Sequence, residues 1–147
     1  MQKEIKQTWF FDQNAQEVWK YLTTPELMEQ WLMKSDFQPV VGHKFKFMHK
    51  PKTGDVYEPI VAAEVLEVSP VTRLSYSWET KTKDGSKTFN STVLWTLTPK
   101  ESGTELVLVH DGFIMAEDAE MHNAGWTSCL KKFEKLINSE KDGSIKA

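Results

Sequence analysis

The sequence predicts an α+β domain in which an antiparallel sheet of about six strands lies against one long helix. Three observations predict it. Residues 119–138 (AEMHNAGWTSCLKKFEKLIN) place His122, Trp126, Cys129, Leu130, Phe133, Leu136 and Ile137 on one stripe of a 3.6-residue period, with Lys131, Lys132, Glu134 and Lys135 opposite. Between residues 43 and 110 the apolar side chains instead recur at a spacing of two, in runs separated by short turn sequences. Outside these regions the helical patterns are short and follow directly on the first strand. The long helix must therefore bury its stripe on the sheet, most economically on the concave face.

Taken in order, residues 3–11 (KEIKQTWFF) are rich in β-branched and aromatic side chains and run into the turn signal DQN, which predicts the first strand. In residues 15–22 (AQEVWKYL), Ala15, Val18, Trp19 and Leu22 fall at i, i+3, i+4 and i+7 behind Asn14 as N-cap, predicting a short helix. Thr24-Pro25 repeats the start signal for a second short helix over 25–32, with Leu27, Met28, Trp31 and Leu32 as its stripe. After a loop at 37–42, residues 43–49 alternate Phe45 and Phe47 against Lys44, Lys46 and Met48. Residues 56–68 form the next strand, with Pro59 near its start, where a missing ladder donor is tolerated at an edge. Leu74, Tyr76 and Trp78 alternate over 73–80, and a polar loop carrying Asp84-Gly85 leads into 89–98, where Phe89, Ser91, Val93, Trp95 and Leu97 share a face. The last strand covers 104–110. Residues 139–147 have the composition of a disordered tail.

At 147 residues and 39% apolar content, residues 1–147 form a single domain with one core. A net charge of −3 with one arginine, Arg73, and no basic cluster argues against nucleic acid as a partner. The lone Cys129 excludes an internal disulfide, and the polar start MQKEIKQ lacks the pattern of a signal peptide, so a cytoplasmic location is expected. No apolar run approaches the roughly 18 residues of a membrane span. Six Trp, eight Phe and three Tyr make 12% of the chain aromatic, a content that suits a core and equally an apolar ligand pocket.

The segments AQEVWKYLTTPELMEQWLM, VGHKFKF, LEVSPVTRLSYSWE and STVLWTLTPKESGTELVLVHDGF, with GW in the long helix, resemble successive motifs of the START-like, Bet v 1-like superfamily. More narrowly, they resemble the group homologous to the C-terminal domain of the activator of Hsp90 ATPase. The resemblance spans roughly residues 8–137. It implies a helix-grip fold: a curved antiparallel sheet holding the long helix, the two short helices closing one end, and commonly an apolar cavity between sheet and helix. One departure is that Gly42 is followed by His43 where the family often has a second glycine.

Candidate chemistry is sparse. His122, one turn before Trp126 on the stripe, is either a polar anchor for a ligand or a hydrogen-bonded interior histidine. His110 and Asp111 are adjacent in a strand and point to opposite faces, so they do not form a dyad. Cys129 in mid-stripe reads as a small hydrophobe with an inert thiol. Gly125, unfavourable in a helix, suggests the close approach of another backbone or a local bend, with packing the favoured cause. No metal-ligand spacing, phosphate-binding glycine loop or catalytic constellation is present, so neither metal nor cofactor is expected. The expectation is therefore a binding protein holding an apolar or aromatic small molecule, or a lipid, between sheet and C-terminal helix. Its walls would be Phe45, Phe47, Tyr76, Trp78, Ser91, Trp95, His122, Trp126, Cys129 and Phe133, with His122 or Tyr76 orienting the ligand's polar end. The resemblance also implies two alternatives, an interaction module acting on a chaperone such as Hsp90 and a cyclase- or hydrolase-like enzyme on the same fold.

Overall fold

A computed structural model describes residues 3–50, 54 and 57–141, of which Glu140 and Lys141 by their backbone alone. In chain order the elements are β1 (Ile5–Phe11), α1 (Ala15–Thr23), α2 (Pro25–Trp31), β2 (Lys34–Ser35), β3 (Lys44–Met48), β4 (Ile60–Ser69), β5 (Arg73–Lys81), β6 (Thr88–Lys100), β7 (Gly103–Asp111) and α3 (Ala116–Lys141). The strands form one antiparallel seven-stranded sheet in the order β1-β7-β6-β5-β4-β3-β2. The first strand thus lies beside the last, and the sheet curls around α3 in an α+β helix-grip.

The extra strand relative to expectation is β2, which pairs Lys34 with Met48 and Ser35 with Phe47. Two residues carry no periodicity, so nothing in the sequence marks them. The helix α3 exceeds its expected range at both ends, and residues 139–141 of the expected tail are helical. Residues 142–147, and Val56 where a strand was expected to begin, lie outside the described residues.

Local chemistry accounts for the elements. The Asn14 side chain accepts the Glu17 N–H at 2.9 Å and starts α1, which buries Val18, Tyr21 and Leu22. Pro25 at the first position of α2 gives up only a donor that would have had no partner there. In β4 the register slips between Val65 and Glu67. This bulge lets Val65 and Val68, an odd number of residues apart, both reach the core, and Glu67 pairs with Arg73 at 2.9 Å. At the β6–β7 turn a Cβ on Gly103 would stand 1.9 Å from the Phe11 carbonyl oxygen, so only glycine allows β1 to close against this hairpin.

The core fills the concave side. On α3, Trp126, Leu130, Phe133 and Ile137 are buried, and β6 sends in Val93, Trp95 and Leu97. The aromatic rings are contiguous: Trp31 meets Trp95 at 6.0 Å between centroids, Trp95 meets Trp126 at 5.4 Å, and Trp126 meets Trp78 at 5.3 Å.

Candidate functional site

The interface between α3 and the sheet is closed at one end of the helix and open at the other. Phe133 is fully buried, with the rings of Phe11, Tyr21 and Trp31 at 5.0, 5.6 and 4.9 Å. Two turns earlier a recess of about 560 Å³ opens beside the helix, within the usual range for small-molecule sites. The helix contributes Met121, His122, Gly125, Trp126 and Cys129, and β5 contributes Trp78 and Thr80. Leu32 and Met33 close it from the end of α2, His49, Tyr57 and Glu58 from the β3–β4 connection, and Val61 from β4. Grooves of about 600 and 500 Å³ elsewhere are lined largely by charged and polar side chains, among them Lys100 and Glu101 in one and Lys44, Lys46 and Glu79 in the other. Between them they hold one aromatic side chain, Phe45, against the two tryptophans and the tyrosine of this one.

Beneath the recess runs a chain of hydrogen bonds with a fixed direction. The Trp126 indole N–H donates to His110 Nδ1 at 2.9 Å. An indole can only donate, so His110 Nδ1 is unprotonated and its proton sits on Nε2, which donates to Ser91 Oγ at 2.7 Å. The Ser91 hydroxyl then donates to the Trp78 carbonyl at 3.2 Å. Burial first, and then the neighbouring His122, push the His110 pKa down to about 3, so the ring is neutral.

His122 sits above this chain, its ring 5.5 Å from His110 and 5.0 Å from Phe113. Its Nδ1 lies 2.9 Å from the Asp118 carbonyl oxygen. A carbonyl only accepts, so Nδ1 carries the proton and Nε2 keeps a lone pair that bonds to nothing among the described residues. Burial lowers its pKa and holds it neutral. The Tyr57 hydroxyl donates to Asp118 Oδ1 at 2.5 Å and ties the β3–β4 connection to the start of α3. Burial, then this bond, raise the phenol to about 12, so it stays a donor. Burial also raises the Cys129 thiol above its ordinary value, which keeps it protonated and unreactive at neutral pH.

One indole differs from the other buried ones. Trp31, Trp95 and Trp126 donate to the Tyr21 carbonyl, the Tyr76 hydroxyl and His110 at 2.9, 3.0 and 2.9 Å. Trp78, 5% exposed and on the wall of the recess, has no acceptor for its N–H among the described residues.

Of the side chains expected to line a pocket, Trp78, His122, Trp126 and Cys129 border the recess. Ser91 borders an adjoining space of about 10 Å³, room for about one water. Phe45, Phe47, Tyr76, Trp95 and Phe133 do not border it; all are buried in the aromatic core, and the Tyr76 hydroxyl already accepts from Trp95. Gly125 corrects the expectation of close backbone packing, because a Cβ there would meet nothing within 4 Å. Sequence reading missed Tyr57, Asp118 and the central place of His110. For His110 the signal was present: Thr104, Leu106, Leu108 and His110 are spaced by two along β7, and all are buried.

Sheet, grip helix and apolar recess together define a helix-grip fold with a small-molecule-sized opening beside its long helix. The chain belongs to the family described as Activator of Hsp90 ATPase homolog 1-like protein, whose model matches residues 12–138. It is similar to a Mesorhizobium loti protein of known crystal structure, with 32% identity, 92% of this chain and 96% of that one covered, and a TM-score of 0.80. The fold is shared with the AHSA1 protein of Silicibacter pomeroyi at 18% identity, with 93% and 99% of the chains covered and a TM-score of 0.79. It is also shared with CalU16 from Micromonospora echinospora at 22% identity, with 94% and 78% covered and a TM-score of 0.71. No curated protein matches the sequence. Among the described residues no helix is long and apolar enough to cross a membrane, and no group of three or more His, Cys, Asp or Glu could hold a metal ion.

Proposed function

We propose that the protein binds an apolar or aromatic small molecule in the recess between the N-terminal half of α3 and the sheet. The observation that carries this reading is the recess itself: about 560 Å³ walled by Leu32, Met33, Val61, Trp78, Trp126 and Cys129, at the place where the same helix two turns later is fully packed. Apolar walls with a few polar groups are the usual composition of a ligand site. Binding is favoured over catalysis, because the Cys129 thiol is protonated and the Tyr57 hydroxyl, raised to about 12, stays a phenol.

The test is a titration with flavonoids, fatty acids and polyaromatic probes, followed by tryptophan fluorescence and by amide and indole NMR shifts. Saturable shifts at Trp78, Trp126 and Cys129, with Tyr21 and Phe133 unmoved, are expected. If no probe perturbs these residues, the binding reading fails. The chaperone partner named in the family's description is then the reading to pursue, tested by mapping Hsp90-induced shifts on the exterior of the sheet.

A further inference from the structure

We infer that the recess selects uncharged ligands whose polar group presents an acceptor and a donor side by side, as an amide or a hydroxy-carbonyl does on an aromatic frame, and that it discriminates against carboxylates. This inference rests on the binding reading above and adds the ligand's chemistry to it.

Two side chains that line the recess each carry a polar atom with no hydrogen-bond partner among the described residues, and the two atoms are complementary. Trp78 offers an N–H that nothing accepts among the described residues, although 95% of its surface is covered, the complement of its 5% exposure. Buried donors are almost always satisfied, and the other buried indoles of this core are. His122 offers the lone pair of Nε2, since the Asp118 carbonyl fixes the proton on Nδ1. Burial of the imidazole disfavours its protonation, so this atom accepts at neutral pH. The two rings meet edge-on with centroids 6.3 Å apart, so the two groups belong to side chains in contact. An acceptor on the ligand would take the Trp78 proton while an adjacent donor meets His122.

Charge then excludes the commonest polar group of apolar metabolites. The lining includes Glu58, Glu117 and Asp118 and, among the described residues, neither Lys nor Arg. Tyr57, raised to about 12, stays neutral and donates to Asp118, so it brings no charge to the lining. The remaining titratable lining residues are His49, which is exposed with its Nδ1 3.2 Å from the Lys50 carbonyl, and Cys129, which stays neutral. An entering carboxylate would lose its hydration, face three like charges and lack the donor that His122 requires.

The experiment compares 2-naphthamide, 2-naphthoate, 2-naphthylmethylammonium and naphthalene by calorimetric titration at pH 7.5. We expect the amide to bind at least tenfold more tightly than the naphthoate and more tightly than naphthalene, and to move the Trp78 indole ¹H–¹⁵N resonance where naphthalene does not. Trp78→Phe and His122→Leu should each remove the amide's advantage over naphthalene while naphthalene still binds. The indole shift in the wild-type protein keeps the test decisive if either variant fails to fold. Naphthoate binding as tightly as the amide, or an ammonium binding more tightly than it, overturns the inference and leaves the binding reading standing. If none of the four binds, it is the binding reading that fails.

Discussion

From Leu130 onward α3 presses Phe133 against rings from β1, α1 and α2, whereas from Asp118 to Cys129 the same helix borders open space. The periodicity of the stripe is unbroken across the two halves, and the difference lies in what covers them. The C-terminal half has α1 and α2 against it. The N-terminal half has strand β5, the β3–β4 connection and the first residues after α2, which leave a volume unfilled. The polar groups divide the same way: His110, His122 and Ser91 gather under the open half, and the rings around Phe133 carry no titratable imidazole or thiol. A single amphipathic helix can thus serve as core at one end and as the wall of a site at the other.

The largest expected effect tests the closed half. Phe133→Ala should lower stability by about 3–5 kcal/mol in a denaturant titration, since three rings lose their contact and a tightly packed site relaxes little. On the open half Met121→Ala, at a side chain 50% exposed, should stay within about 0.5 kcal/mol. If Phe133→Ala costs less than about 1 kcal/mol, the distinction between the halves is wrong.

Acid should act through the open half. His110 takes up a proton near its ordinary value of 6.5 when unfolded but only near pH 3 when folded. Between these pH values the unfolded state binds more protons, so stability is complete above pH 6.5 and falls as the pH is lowered. From pH 7 to pH 4 the loss from this residue is on the order of 3 kcal/mol, at about 1.4 kcal/mol per pKa unit. His122, also lowered, adds to it with the same sign. Urea midpoints measured over this range should fall more steeply for the wild type than for His110→Gln; parallel curves would mean that His110 is not held neutral.

The smallest effect sharpens the comparison. Gly125 is helical and exposed, with nothing within 4 Å of an added Cβ. Gly125→Ala should therefore stabilise the protein by about 0.5–1 kcal/mol and raise Tm by a few degrees in a thermal scan. A destabilised Gly125→Ala would show that the space beside the helix closes in solution.

How much of this could be read from the residues varies with the kind of signal. The stripe at 119–138 and the alternation in residues 89–98 and 104–110 repeat often enough to specify an element and its buried face, so the sheet and its grip helix were legible. The pair Lys34–Ser35 and the bulge at Leu66 were not, because two residues or one inserted residue leave no period to read. For the candidate site, the stripe grouped Trp126, Cys129 and His122, which border the recess, but could not tell which part of it would be covered. That depends on where α1 and α2 pack, and so Phe133, Tyr76 and Trp95 look like wall residues in sequence and are core in the fold. Tyr57 reaches Asp118 across 61 positions of chain from a segment without periodicity.

The row of indoles from Trp31 through Trp95 and Trp126 to Trp78, with successive centroids 6.0, 5.4 and 5.3 Å apart, has an optical consequence. Chromophores this close exchange excitation far faster than they emit, so light absorbed by Trp31 in the closed core can leave from Trp78 at the edge of the recess. The row then acts as one antenna. A molecule that quenches Trp78 alone would darken indoles it never touches.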